Sequence, residues 1–300
     1  MKIGKIYGRN FHTEHLGLDE GDGTPWHICG ELTEPSDVCT ISADLDTYVT
    51  WTNWTGRIKE IDGEDCKIQL YVSIDTSDIH PDIIKLMKEL FVKVYVPYKY
   101  MESILTKHEI NCEYLKWVCT DTCRKVTVLP PKIRNPEEII FLYTDFNDDC
   151  TDLVNMTKIF SKILKGTKHF LIVRSNSSDN IVTGPNVKFT DEMIHGDILS
   201  KLYAMCDYVV TFKKGPGTWS NDILSAQYFN KPIIAHDKGS FKELKDSSWI
   251  TLASNEVHPK YTQTKIRNKM VVDYEKVYYG TWWEIDYEKA EETITSLIKS

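Results

Sequence analysis

The chain has 300 residues, of which 41% are hydrophobic and 27% charged, and a formal net charge of −8; this is the composition expected of a soluble globular protein with one or two cores. The acidic balance excludes binding dominated by a nucleic-acid backbone but leaves room for a local basic pocket that takes one small phosphorylated ligand. No run of about 18 apolar residues is present, so no transmembrane segment is expected. The start, Met1–Gly8, is too short and polar for a secretory signal and reads as a first strand.

Gly17–Pro35 is rich in Gly, Pro and acidic residues and reads as an irregular loop, with Val38–Ile41 and Tyr48–Trp51 as candidate strands after it. Lys67–Ile74 predicts a strand, Asp82–Leu90 a helix, Phe91–Val96 a strand and Tyr98–Lys107 a helix. Pro130, Pro131 and Pro136 make a stiff connector, which places a domain boundary between residues 134 and 135. Eight cysteines scattered along the chain suggest reduced thiols in a cytoplasmic setting. The spacing of Cys119 and Cys123 does not suit a zinc knuckle.

The second half alternates more regularly. Glu138–Tyr143 is a nearly continuous apolar run, as a buried parallel strand requires. Leu153, Met156, Ile159, Phe160 and Ile163 form a helical stripe that Lys165 and Gly166 close. Strands are expected at His169–Val173, Asn186–Phe189, Tyr208–Phe212, Pro232–Ala235 and Trp249–Leu252. Helices are expected at Ile198–Met205, Ser220–Phe229 and around Phe241–Leu244. A last amphipathic helix, Tyr287–Ile298, carries Ala290, Ile294 and Leu297, and is free to fold back onto the first domain. Such alternation means doubly wound parallel sheets.

The segment from Tyr208 to Ala235 carries the most chemistry. A strand, a Gly215-Pro216-Gly217 turn and a helix opened by Ser220 or Asn221 make an anion cradle, because glycines let backbone amides approach a phosphate and the helix dipole favours its charge. Lys213 and Lys214 add positive charge where open α/β sheets bind ligands. The competing reading is an ordinary βαβ turn with surface lysines.

The ordered series resembles the GT-B fold glycosyltransferases, within them the large retaining family four. Phe170-Leu-Ile-Val-Arg174, Val187-Lys-Phe-Thr190, Leu202-Tyr-Ala-Met-Cys-Asp207, Asn230-Lys-Pro-Ile-Ile-Ala235 and Gly239–Leu244 stand in the order of that family's C-terminal motifs. Leu70–Asp75 and Val94–Tyr100 are similar to its N-domain steps, so the resemblance covers roughly residues 66–252. It implies two Rossmann-like domains facing a cleft, residues 1–134 on the acceptor side and 135–300 binding a nucleotide-sugar. It also implies transfer of a sugar to an acceptor hydroxyl, such as a glycan's, with no bound metal and no cofactor beyond the nucleotide-sugar co-substrate.

The family's E-x7-E pair would fall at Gly217 and Ser225, so both carboxylates are absent. Acidic residues also stand after Thr144, where the family's phosphate-neutralising Arg and Lys lie. On this resemblance Arg174, Lys213, Lys214, Gly215, Gly217, Thr218, Trp219, Ser220, Asn221 and Ser225 are the donor-binding candidates, with Lys214 stabilising the leaving phosphate. Trp51, Asn53, Trp54 and His80 are acceptor candidates, and Asp75 is the candidate catalytic carboxylate, with a turn-capping role as its alternative. Asp145–Asp149 has cation-binding residue types but reads more simply as a helix N-cap cluster. A GT-B-shaped epimerase or hydrolase, or a non-catalytic scaffold, are the competing functions.

Overall fold

In a sheet covered on both faces every strand residue must be buried, and Ile140–Tyr143 meets that demand along its whole length. The computed structural model describes residues 5–6, 38–44, 67–90, 93–115, 137–145, 150–175, 178, 180–190, 197–215, 221–259, 265–267, 270–272 and 278–299. Its contacts divide into two compact units, one built mainly from residues up to 118 with 257–282, the other from 119–215, 220–256 and 283–300.

The first unit holds strands β1 (Lys5–Ile6), β2 (Val38–Asp44) and β3 (Lys67–Ser73). Helix α1 (Pro81–Leu90), strand β4 (Lys93–Val96), helix α2 (Lys99–Lys107) and strand β5 (Cys112–Tyr114) follow. All five strands are parallel, and their order in the sheet is their order in the chain. Leu70, Val72, Val94 and Val96 from the strands, with Met87, Met101, Ile104 and Leu105 from the helices, are buried. The candidate strand Tyr48–Trp51 lies outside the described residues.

The second unit begins with β6 (Ile140–Tyr143), α3 (Leu153–Ile163), β7 (Phe170–Arg174), β8 (Val187–Thr190) and α4 (Asp197–Met205). It continues through β9 (Tyr208–Val210), α5 (Asn221–Tyr228), β10 (Ile233–Ala235), α6 (Phe241–Leu244) and β11 (Ile250–Thr251). Strands β12 (Ser254–Val257) and β15 (Trp282–Ile285), mostly in this unit, precede the last helix, α7 (Tyr287–Lys299), while β13 (Lys265–Arg267) and β14 (Met270–Val272) belong to the first unit.

The six-stranded sheet is parallel throughout and ordered β11-β10-β9-β6-β7-β8. Alternate residues of one strand feed opposite cores. Phe141 and Tyr143 join Leu171, Val210, Phe212 and Ile234 under α3 and α7, while Ile140 and Leu142 join Val209, Ile233 and Ala235 under α4, α5 and α6. This is the doubly wound α/β fold that the strand–helix alternation predicted.

Side chains lock the connections. Asp207, between α4 and β9, accepts the Ile140 amide at 2.9 Å while its own amide donates to the Ile140 carbonyl at 2.8 Å. Lys231 donates to the Ala204 and Cys206 carbonyls, each at 2.9 Å, and so caps the end of α4. The last helix, α7, packs on α3 of the second unit. Its apolar stripe, Ala290 and Ile294, enters the same core as Leu153 and Met156, and the Tyr287 hydroxyl donates to the N-cap carboxylate Asp152. Lys162 and Glu291 pair across the rim at 2.6 Å.

Candidate functional site

In a doubly wound sheet the helices on either side of a reversal in strand order leave toward opposite faces, so a crevice opens at the strand C-termini there. In the second unit the reversal lies between β6 and β9, the first and fourth strands of the sheet in chain order. Thr144 and Asp145 leave β6 at this point, and Thr211–Lys214 leave β9. Tyr203 reaches the same point from α4, its hydroxyl hydrogen-bonded to that of Thr144.

The Lys213 ammonium occupies the switch point. It forms ion pairs with Asp145 and, at 3.5 Å, with Asp222 Oδ1 in the first turn of α5. The Lys213 and Asp222 side chains are only 4% and 3% exposed, whereas Asp145 retains 17%. Burial pushes the Asp222 carboxyl above the usual range; Lys213 pulls it back and the neighbouring Asp145 charge pushes it up again. With all three groups ionised the cluster carries one positive and two negative charges.

The main chain beneath this lysine is held from three sides. The Lys214 amide donates to the Cys150 carbonyl at 2.7 Å, the Asp152 amide to the Phe212 carbonyl at 3.1 Å, and the Trp283 amide to the Lys214 carbonyl at 2.7 Å. His236, the residue after β10, is fully buried and stacks on Phe241 at 4.8 Å. Its Nδ1 accepts the Lys238 amide at 3.1 Å, so Nε2 carries the proton and donates to the Lys213 carbonyl at 2.9 Å. Burial holds this imidazole down at about 4, against the Lys213 hydrogen bond that raises it, so it is neutral at pH 7.

The predicted donor residues therefore divide. Lys213 stands at the switch point, but its charge is already balanced by carboxylates; the free phosphate-facing cation expected from the sequence is an internal ion pair. Lys214 is half-buried, and its amide and carbonyl are both committed to neighbouring backbone. Gly215 is buried, and Asn221 opens α5 as expected. Ser225 is buried one turn beyond Asp222, on the same face of α5. Arg174 ends β7, two strands from β9 and therefore about 10 Å away; its buried Nε has no hydrogen-bond partner among the described residues. Gly217, Thr218, Trp219 and Ser220 lie outside the described residues, as do Trp51, Asn53 and Trp54.

In the first unit, Asp75 is buried two residues beyond the end of β3. His80 opens α1: its carbonyl accepts the Ile83 and Ile84 amides, its Nδ1 accepts the Asp82 amide at 3.2 Å, and its ring meets Tyr279 edge-on. The Asp78 carboxylate accepts the Ile79 amide at 2.8 Å and pairs with His108 at 2.6 Å. Among the described residues, no group of three or more His, Cys, Asp or Glu side chains is arranged to hold a metal ion. No described helix is long and apolar enough to cross a membrane.

Sequence reasoning missed Asp222 and His236 as members of this site. Asp222 is a carboxylate in the first turn of a helix that buries that face. His236 is a lone polar residue directly after an apolar strand; each pattern also fits an ordinary cap or core residue.

No family model matches the chain, and no curated protein matches it in sequence. Solved structures do match in fold. They include OtsA in its apo form, with a TM-score of 0.52 at 9% identity over 72% of this chain and 62% of that one. An alpha,alpha-trehalose-phosphate synthase (UDP-forming) from Burkholderia vietnamiensis gives a TM-score of 0.50 at 9% identity, with 72% of this chain and 62% of that one covered. The N-terminal domain of the Candida albicans trehalose-6-phosphate phosphatase gives a TM-score of 0.50 at 11% identity, with 90% and 64% covered. The chain thus spans a little over three fifths of the length of these structures. The fold is the parallel α/β fold of the GT-B glycosyltransferases.

Proposed function

We propose that the protein transfers a sugar from a nucleotide-sugar to an acceptor hydroxyl, binding the donor's diphosphate at the switch point of the second unit. One observation carries this reading: the strand order reverses between β6 and β9, and a buried lysine sits at the reversal. A departing nucleoside diphosphate develops negative charge, and a fixed cation in a water-poor site stabilises it without reorganisation. Lys213, anchored through its carbonyl by His236, is the residue assigned that role, with Lys214 and the half-buried Arg174 as neighbouring cations. The likeness to a UDP-forming synthase makes UDP-sugars the first donors to test.

The test is isothermal titration and thermal shift with UDP-, GDP- and ADP-sugars, followed by an assay for nucleoside diphosphate release with and without an acceptor. One nucleotide-sugar should stabilise the chain by RT ln(1 + [L]/Kd), about 2.7 kcal/mol at one hundred times Kd. Lys213→Met should abolish that response. Absence of any response across the panel overturns the reading. The enclosed Lys213 ion cluster favours a second reading, a non-catalytic scaffold, which that outcome would support.

A further inference from the structure

Lys213 is already paired, so a ligand anion that reaches this site meets competition from the protein itself. We propose that Asp145 is a specificity-determining residue that competes with a ligand's diphosphate for Lys213, so that the anion binds by taking the place of Asp145. The proposal rests on the reading that a diphosphate occupies the switch point.

Three observations single out Asp145 rather than Asp222 as the exchangeable partner. Asp145 is the member of the cluster that faces solvent, at 17% exposure against 3% for Asp222, so an incoming anion meets it first. Asp222 is built into the first turn of α5 and almost wholly enclosed there. The base of Lys213 stays at the switch point when a partner leaves, because His236, Cys150 and Trp283 hold its main chain and that of Lys214.

The charges then set the selectivity. A diphosphate added beside an intact cluster would face two carboxylates and one cation, whereas a diphosphate in the place of Asp145 meets an ammonium with one carboxylate behind it. The exchange trades one Lys–anion pair for another and favours ligands whose anionic charge exceeds that of a single carboxylate. Monoanionic ligands of similar size are rejected, because they displace Asp145 for no electrostatic gain.

The test measures pyrophosphate and UDP binding by titration calorimetry at constant ionic strength, in the full chain and in Asp145→Asn. The amide keeps the shape of the carboxylate and removes its charge. Asp145→Asn should bind both ligands at least tenfold more tightly than the unchanged chain. The gain should vanish in Asp145→Asn/Asp222→Asn/Lys213→Met, which removes all three charges together. Should the unchanged chain bind UDP and Asp145→Asn bind it equally or more weakly, the competition is refuted while the nucleotide reading stands. Should Asp145→Asn gain pyrophosphate affinity yet bind no UDP, the competition stands and the nucleotide reading falls. Absence of pyrophosphate and UDP binding in every chain refutes both.

Discussion

Each unit has a parallel sheet with a loop leaving a central strand, yet the two loops are wired with different chemistry. After β3 the sheet order simply continues from β3 to β4 to β5. Its loop is closed by short-range polar contacts and by Ser77, which exchanges three hydrogen bonds of 2.8–2.9 Å with Thr281. Gly280 stands against it at φ +100, where an added Cβ would lie 2.8 Å from the Asp78 amide nitrogen. After β9 the order reverses, and the loop carries a buried lysine between two carboxylates. Both loops carry carboxylates, since Asp75 is buried after β3 and Asp78 pairs with His108. Among the described residues a buried lysine between carboxylates stands where the topology opens a crevice, and the cost of desolvating that cluster makes its loop the sensitive one.

The sharpest way to break this contrast is Lys213→Met, which leaves the buried Asp222 and the partly exposed Asp145 without this cation and should cost about 3–5 kcal/mol. The sign of its pH dependence follows from Asp222, whose folded pKa is already raised by burial. A raised carboxyl pKa favours the folded state at low pH and works against it as pH rises above the ordinary carboxylate range. Denaturant titrations should therefore show a larger loss at pH 8 than at pH 5; an equal loss at both would mean that Lys213 does not shift the titration of these carboxyls between pH 5 and 8.

Acid should act on the second unit through His236. The folded chain keeps it neutral down to about 4, whereas its ordinary value is 6.5. Its contribution is complete above pH 6.5 and is lost as pH falls from 6.5 toward 4, about 3 kcal/mol in all at ~1.36 kcal/mol per pKa unit. Stability curves of the unchanged chain and His236→Gln, which keeps an N–H donor for the Lys213 carbonyl, should converge toward pH 4. Parallel curves would remove His236 from the account.

The first unit should respond to geometry instead. Gly280→Ala adds a Cβ against backbone at a φ that L residues rarely adopt, for about 2 kcal/mol of destabilisation. That loss should be independent of pH between 5 and 8, unlike that of Lys213→Met. The smallest effect is expected for Tyr287→Phe, which removes a hydroxyl donor from Asp152 while Asn155 still donates to the same carboxylate at 3.1 Å. A loss of about 1 kcal/mol in a chemical melt is expected, and a loss above 3 kcal/mol would show that α7 depends on that bond more than on its apolar stripe.

Much of the second unit is legible in the residues because a strand buried on both faces is a continuous apolar run, as Ile140–Tyr143 and Ile233–Ala235 are. β5 is three residues long with an exposed centre, too short to carry a pattern. The expected strand Tyr208–Phe212 leaves the ladder after Val210, because Phe212 and Lys214 bond instead to the segment around Cys150–Asp152. Part of the site was equally legible: a strand, lysines and a helix start at Tyr208–Asn221. The balance of charge was not, since Asp145 comes from an earlier strand and nothing local marks it as a partner of Lys213.

Local pattern by itself determined which segments are strands and helices, and therefore that parallel doubly wound sheets would form, because hydrophobic periodicity is a property of neighbours in the chain. Strand order, and with it the place where a crevice opens, was decided in three dimensions. So was the state of Lys213: an ammonium's partners depend on which carboxylates the sheet brings within a few ångströms, and electrostatic energy depends on that distance rather than on separation along the chain.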